Sequence, residues 1–204
     1  MAMRVGLYGG TFDPIHVGHL IVARAVRERL DLDRMVLIPS AHPPHKPHPD
    51  LTDAAHRLAM ARLAVDGEPE LEVSDCEARR TGPSYTIDTV QAFREASGPQ
   101  AEIIWVIGAD TLAELASWHR VKELVDACRI VIASRPGWES PDPTPLRGRL
   151  TDEQIDRLRG GMIETPRIDV SATEIRRRVA EGRSIRWLVP ESVHRYITQH
   201  GLYR

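Results

Sequence analysis

Two histidines three residues apart, His16 and His19, follow a glycine turn in the run Gly9-Gly10-Thr11-Phe12-Asp13-Pro14-Ile15-His16-Val17-Gly18-His19-Leu20. On the first turn of a helix that spacing puts both imidazoles on one side. There, ring N–H groups join the backbone N–H groups that a helix start presents to an anion. Gly9 and Gly10 have no Cβ, so their backbone can approach a ligand closely, and Pro14 stiffens the loop. This donor set suits negative charge developing on a phosphate, chemistry that depends on positioning and fixed dipoles rather than on a covalent partner. A Gly-Gly turn beside histidines is ordinarily only a turn. The run is neither a Walker A loop nor a dinucleotide fingerprint, since Gly-Lys-Ser/Thr and Gly-x-Gly-x-x-Gly are both missing from it.

Other residues of the right chemistry stand at the ends of apolar runs. Gly108-Ala109-Asp110 closes the run 102–107, where a glycine lets a nucleotide lie against the backbone and a carboxylate can accept from a ribose hydroxyl; Asp110 could equally cap the following turn. Arg135 follows the run 129–134, where a guanidinium can clamp a phosphate. Ser84-Tyr85-Thr86 precedes the stripe Ile87, Val90, Phe93, so Thr86 is a plausible N-cap. That helix start is either simply capped or offers backbone N–H groups to a small anion such as a carboxylate. Trp118 is either a satellite of the core, which the sequence slightly favours, or a stacking face for a flat ring. Ser171 and Glu174 read as a capping box, which leaves Thr173 and Arg176 unexplained by capping, and Arg176 could reach an anion at the helix start. Lys46 is a long-stemmed cation near the anion turn or an ordinary solvated lysine. His42, His45 and His48 invite a metal reading, but in a loop with Pro43, Pro44, Pro47 and Pro49 that spacing does not converge the rings as a helix would.

The elements that must position these groups follow from periodicity. Residues 4–8, 35–39, 71–74, 102–107, 129–134 and 168–170 read as strands, the central ones apolar throughout, as expected of strands buried on both faces of a parallel sheet. Helical patterns separate them at 20–30 and 52–65, from Thr86, from Thr151 with Gln154 as a capping box, from Ser171 to Gly182, and from Pro190 to Gly201. The predicted class is α/β, a Rossmann-like doubly wound parallel sheet with a small helical C-terminal extension. One domain over 1–204 is expected, with a core over 1–170 and a helical part over 171–204 that carries an anion-binding motif.

Composition narrows the rest. The 204 residues carry 27 Lys and Arg against 29 Asp and Glu with 5% aromatics, which argues against a nucleic-acid binder and leaves anion binding to local clusters. Cys76 and Cys128, only two and far apart, suit reduced, inert thiols. The N-terminus begins on a strand pattern, with no basic segment, apolar run and cleavage site, and no run reaches the roughly 18 apolar residues of a membrane helix. The expectation is a cytoplasmic protein with no membrane partner.

The motifs together resemble those of the bacterial nicotinate mononucleotide adenylyltransferases, in the nucleotidyltransferase superfamily. The resemblance rests on 9–20 with its His-x-Gly-His signature, Pro43-Pro44-His45-Lys46, Pro83-Ser84-Tyr85-Thr86, Gly108-Ala109-Asp110, Trp118, Ser134-Arg135-Pro136-Gly137, 171–176 and Leu188-Val189-Pro190. It implies transfer of an adenylyl group from ATP to nicotinate mononucleotide by direct in-line attack, giving nicotinate adenine dinucleotide and pyrophosphate on the way to NAD. In that reading Gly9, Gly10, Thr11, His16 and His19 hold the ATP phosphates, joined by Ser171, Thr173 and Arg176. His16, His19 and Arg176 are the catalytic set. Gly108 and Asp110 lie near the ribose, Lys46 and Arg135 near the mononucleotide phosphate, Trp118 on the pyridine ring, and the backbone around Tyr85 and Thr86 on its carboxylate. Mg²⁺ is implied, carried by phosphates and water with no protein ligand named. Ala172 departs from many members, which have a second serine there. The nearest rival is another transferase of the superfamily, such as phosphopantetheine adenylyltransferase or a cytidylyltransferase. A rival of another class is a non-catalytic nucleotide-binding module.

Overall fold

Short apolar runs alternating with amphipathic ones build a wound parallel sheet, because parallel neighbours need a crossover and the crossover helices cover both faces. A computed structural model describes residues 2–44, 51–134 and 143–204. The order is Arg4–Gly10 (β1), Val17–Leu30 (α1), Arg34–Pro39 (β2), Ala54–Val65 (α2), Leu71–Val73 (β3), Thr86–Ser97 (α3) and Glu102–Gly108 (β4). A 3-10 helix at Ala109–Ser117 comes next, then Val121–Ala127 (α4), Arg129–Ala133 (β5), Asp152–Gly160 (α5), Met162–Ile163 (β6), Ala172–Ala180 (α6) and Glu191–His200 (α7). All six strands pair in parallel in the order β3-β2-β1-β4-β5-β6. The order reverses between β1 and β4, and in such sheets the crevice outside the carboxyl ends at the reversal is where ligands bind.

Strand alternation divides the core between two faces. Leu7, Ile38, Ile103, Trp105 and Ile132 face one layer, packing with α3, α4 and α5 through Ile87, Val90, Leu124 and Leu158. Met35, Leu37, Ile104, Val106 and Val131 face the other, where α1 and α2 are joined by Ile175 of α6 and by Val193 and Ile197 of α7. The C-terminal helices therefore share a core with α1 and α2. Among the described residues no helix is long and apolar enough to cross a membrane. Burial pushes the Cys128 thiol up to about 12 and raises that of Cys76, so both disfavour the reactive thiolate.

The last strand lies earlier than the sequence pattern suggests. It is Met162–Ile163, beside β5, and not 168–170. Thr165 ends it: its N–H donates to Ser134 Oγ (2.9 Å) and its hydroxyl to the Ser134 carbonyl (3.0 Å), drawing the chain off the sheet edge. Ile168 then lies beside Gly18 of α1 and Val170 packs into the second core layer, so their alternation reflects helix packing rather than strand pairing.

Gly9 makes room for a side chain of the first layer. A Cβ there would stand 2.4 Å from the buried Trp105 ring across the β1–β4 pair. Gly9→Ala is expected to cost about 1–3 kcal/mol through overpacking and to perturb the tryptophan near-UV signal, measurable by denaturant titration with circular dichroism.

Candidate active site

β1 ends in Gly9 and Gly10, and the chain turns through Asp13 and Pro14 into α1. Phe12, buried with φ 49°, packs edge-on against Tyr8 and His19, which anchors this non-helical turn. His16 caps α1 in extended conformation, and its backbone N–H donates to Nδ1 of His19 (3.2 Å). A donor on Nδ1 requires that nitrogen to accept, so the ring proton of His19 is on Nε2, which can donate in turn. The two rings stack, with centroids 3.7 Å apart and planes 22° from parallel. His19 lines the main cleft, while His16, only 4% exposed, lines an adjoining pocket with Gly108 and Ser134. Gly18 explains the spacing of the pair: a Cβ there would come within 3.0 Å of the His16 ring.

The turn is held from outside by Arg57 of α2, a side chain 1% exposed. Its guanidinium donates to the carbonyls of Thr52 (2.8 Å), Thr11 (2.8 Å), Ser40 (2.5 Å) and Ala41 (3.2 Å). Burial lowers its pKa from the ordinary arginine value, opposed by the charge of Asp13. Not every first-turn N–H of α1 is turned to the cleft: that of Val17 donates to the Leu188 carbonyl (3.0 Å) and that of His19 to the His16 carbonyl (3.0 Å).

The opposite wall is built by α3 and the 3-10 helix. Tyr85, not Thr86, is the N-cap of α3: its backbone is extended and its carbonyl accepts the Thr89 N–H (3.3 Å), while its own N–H is turned back onto the Pro83 carbonyl (3.1 Å). Thr86 is the helix's first residue, and its N–H has no acceptor among the described residues. Ser84 ties this start to the proline-rich loop, donating its N–H to the His42 carbonyl (2.9 Å) and accepting the His42 N–H at Oγ (3.1 Å). The His119 ring stacks on Tyr85 with centroids 4.1 Å apart. Glu77, 4% exposed and lining the cleft, accepts from the buried Thr89 hydroxyl (2.8 Å), which is also bonded by Arg80, so the segment before α3 is bolted to its first turn. Trp118 packs on the core layer of α3, the satellite position the sequence slightly favours, and also lines the cleft.

One cleft thus collects Gly9, Gly10, Thr11, His19, Tyr85, Thr86, Gly108, Asp110 and Trp118 of the expected residues. A Cβ on Gly108 would meet Asp110 Oδ1 at 2.4 Å, so the carboxylate lies back over the bare Cα at the end of β4. From α6 only Ala172 is among the cleft residues. Ser171 Oγ caps α6 by accepting the Glu174 N–H (3.2 Å), but Glu174 does not return the bond; its carboxylate pairs with Arg177, so the box is half made. Arg176 donates from Nη1 to the Asp13 carbonyl (2.7 Å), with Nη2 3.4 Å from Thr173 Oγ1. Lys46, Arg135, His45 and His48 lie outside the described residues. Sequence reasoning missed Arg57, Glu77, Asp13 and His119; α2 also carries His56 and Arg62, so no local pattern sets Arg57 apart.

The cytidylyltransferase-like family model matches residues 7–178, which span this parallel sheet and the stacked histidines at its reversal, and makes the chain a nucleotidyltransferase in class. Relatives named "Probable nicotinate-nucleotide adenylyltransferase" are 41% identical in Thermoanaerobacter sp. (99% of this chain, 95% of the relative) and 44% identical in Pseudomonas syringae pv. tomato (98% and 94%). The chain belongs to the nicotinate-nucleotide adenylyltransferase family. In fold it is similar to Plasmodium falciparum nicotinic acid mononucleotide adenylyltransferase complexed with NaAD, with a TM-score of 0.77 at 18% identity over 98% of this chain and 97% of that one.

Replacing Arg57 with Met leaves four inward carbonyls without their donor. The expected loss is on the order of 3 kcal/mol of stability, read by urea denaturation and accompanied by weakened binding of an ATP analogue.

Proposed function

We propose that the chain is a single cytoplasmic nucleotidyltransferase domain, a core over 1–170 with a helical part over 171–204, that transfers the adenylyl group of ATP to nicotinate mononucleotide. The carrying observation is that one cleft is lined on one side by Gly9, Gly10, Thr11 and His19 and on the other by Tyr85, Thr86 and Trp118. That pairing suits a triphosphate at one end and a flat acidic ring at the other.

In this reading a phosphate oxygen of the mononucleotide attacks the α-phosphorus of ATP in line. The new P–O bond forms as the bond to the β-phosphate oxygen breaks, and pyrophosphate leaves with the electron pair. No protein nucleophile enters, so catalysis rests on charge placement. His19, with its proton on Nε2, donates to the phosphate oxygens as charge builds on them, and His16 stacks behind it and adds to the same field. Ser171, Thr173 and Arg176 hold the outer phosphates, with Arg176 oriented by the Asp13 carbonyl. Gly108 and Asp110 receive the ribose. Trp118 stacks on the pyridine, the start of α3 at Tyr85 and Thr86 meets its carboxylate, and Lys46 and Arg135 complete the mononucleotide phosphate site. A nicotinate carboxylate accepts from the Thr86 N–H at either oxygen and with its charge, whereas a nicotinamide offers only its neutral carbonyl oxygen there, a weaker bond.

A divalent cation, Mg²⁺ in our reading, would be carried by phosphate oxygens and water. Mg²⁺ retains its waters readily, which suits a cation held chiefly by its substrate. When bound it neutralises charge on the leaving pyrophosphate.

The test is pyrophosphate release from ATP and Mg²⁺ with nicotinate mononucleotide, nicotinamide mononucleotide or phosphopantetheine as acceptor. Release chiefly with the nicotinate form is expected, and release chiefly with another acceptor overturns the assignment of the ring pocket. In the same assay His19→Ala is expected to lower kcat by about 100-fold or more with an unchanged circular dichroism spectrum; near wild-type turnover would remove His19 from the mechanism.

A further inference from the structure

Beyond α7 the chain turns through Gly201 and comes back to the loop between β1 and α1. Tyr203 stands there at φ 65°, a left-handed conformation that costs a non-glycine residue energy and persists only where contacts enforce it. The enforcing contact is polar. The Tyr203 hydroxyl donates to Asp13 Oδ1 at 2.6 Å. Asp13, 3% exposed, accepts the Thr52 N–H at its other carboxylate oxygen (3.3 Å), and its main-chain carbonyl receives Nη1 of Arg176 (2.7 Å).

We infer that Tyr203, acting through Asp13, is a positioning residue for Arg176 and hence for the triphosphate end of the cleft alone. The inference rests on the function proposed above. A guanidinium is a rigid planar fork, so once Nη1 is seated on the Asp13 carbonyl the directions of its remaining N–H groups are set. That carbonyl is only as well placed as the residue bearing it, and Asp13 is held at both carboxylate oxygens, one of them by Tyr203. Burial and the neighbouring Asp13 charge push the Tyr203 phenol above its ordinary value, so the hydroxyl keeps its proton and remains a donor. The mononucleotide wall is built differently. Tyr85 and Trp118 pack on the layer of α3 and α4, whereas Tyr203 packs with the layer of α1, α2 and α7. Loosening Asp13 should therefore disturb one substrate and spare the other, which a merely structural C-terminal tyrosine would not do.

The experiment uses full-length Tyr203→Phe, which keeps the ring and deletes only the hydroxyl. ATP and nicotinate mononucleotide are varied separately in steady-state assays, and a non-hydrolysable ATP analogue is titrated by calorimetry. The expected result is a rise of about fivefold or more in both the KM for ATP and the Kd of the analogue, the equivalent of one hydrogen bond, with the KM for the mononucleotide unchanged. Equal rises in both KM values, or unaltered analogue binding, overturn the inference. If Tyr203→Phe does not fold, the same titration on Asp13→Ala, which deletes the acceptor of the Tyr203 hydroxyl and keeps the main-chain carbonyl, decides with the same expected and overturning results. Should the wild-type protein fail to turn over nicotinate mononucleotide, the functional reading falls, while the analogue titration still decides the role of Tyr203.

Discussion

Four backbone carbonyls from three separate stretches of chain, those of Thr11, Ser40 with Ala41, and Thr52, converge on the guanidinium of Arg57. Loops at the carboxyl ends of parallel strands have no ladder partners there, and buried carbonyls without donors are costly. A single side chain with five N–H groups supplies what the sheet does not. The charge itself is expensive to bury; Asp13 and the dipoles of the four carbonyls offset that cost. The position of the Gly10–His16 turn, and with it both histidines, depends on this brace.

The sheet divides the tasks of the cleft between its two covered faces. Elements that would grip phosphates, the β1–α1 turn and α6, pack with α1, α2 and α7. Elements that would read the mononucleotide, α3 and the 3-10 helix before Trp118, pack on the other face with α4 and α5. At the reversal between β1 and β4, bare glycine backbone at Gly9 lies against Trp105 and bare Gly108 makes room for the Asp110 carboxylate. A bond between two substrates is best made where two independently shaped walls face each other across close-approaching backbone.

The imidazole pair draws its chemistry from local backbone geometry. The His16 N–H fixes the tautomer of His19, and the missing Cβ of Gly18 lets the His16 ring lie flat beneath it. The result is an oriented donor prepared before any ligand arrives, which is the condition under which fixed dipoles stabilise developing charge without reorganisation.

Periodicity and turn chemistry determined much of this from the sequence alone. Apolar runs marked β1, β2, β4 and β5, and the three-residue histidine spacing put both rings on one side of the turn, because each of these is a rule about neighbours in the chain. Tertiary structure alone decided the rest. Arg57 sits in a helix where an arginine ordinarily faces water, and Tyr203 lies 190 residues from the Asp13 it holds. The true β6 depended on Thr165 hooking Ser134, 31 residues earlier. The α3 cap fell on Tyr85, whose extended backbone lets its carbonyl take the Thr89 N–H, against the usual preference for threonine as a cap. Contacts between side chains and distant backbone leave no periodic trace, so only the folded chain could show which carbonyl each donor would find.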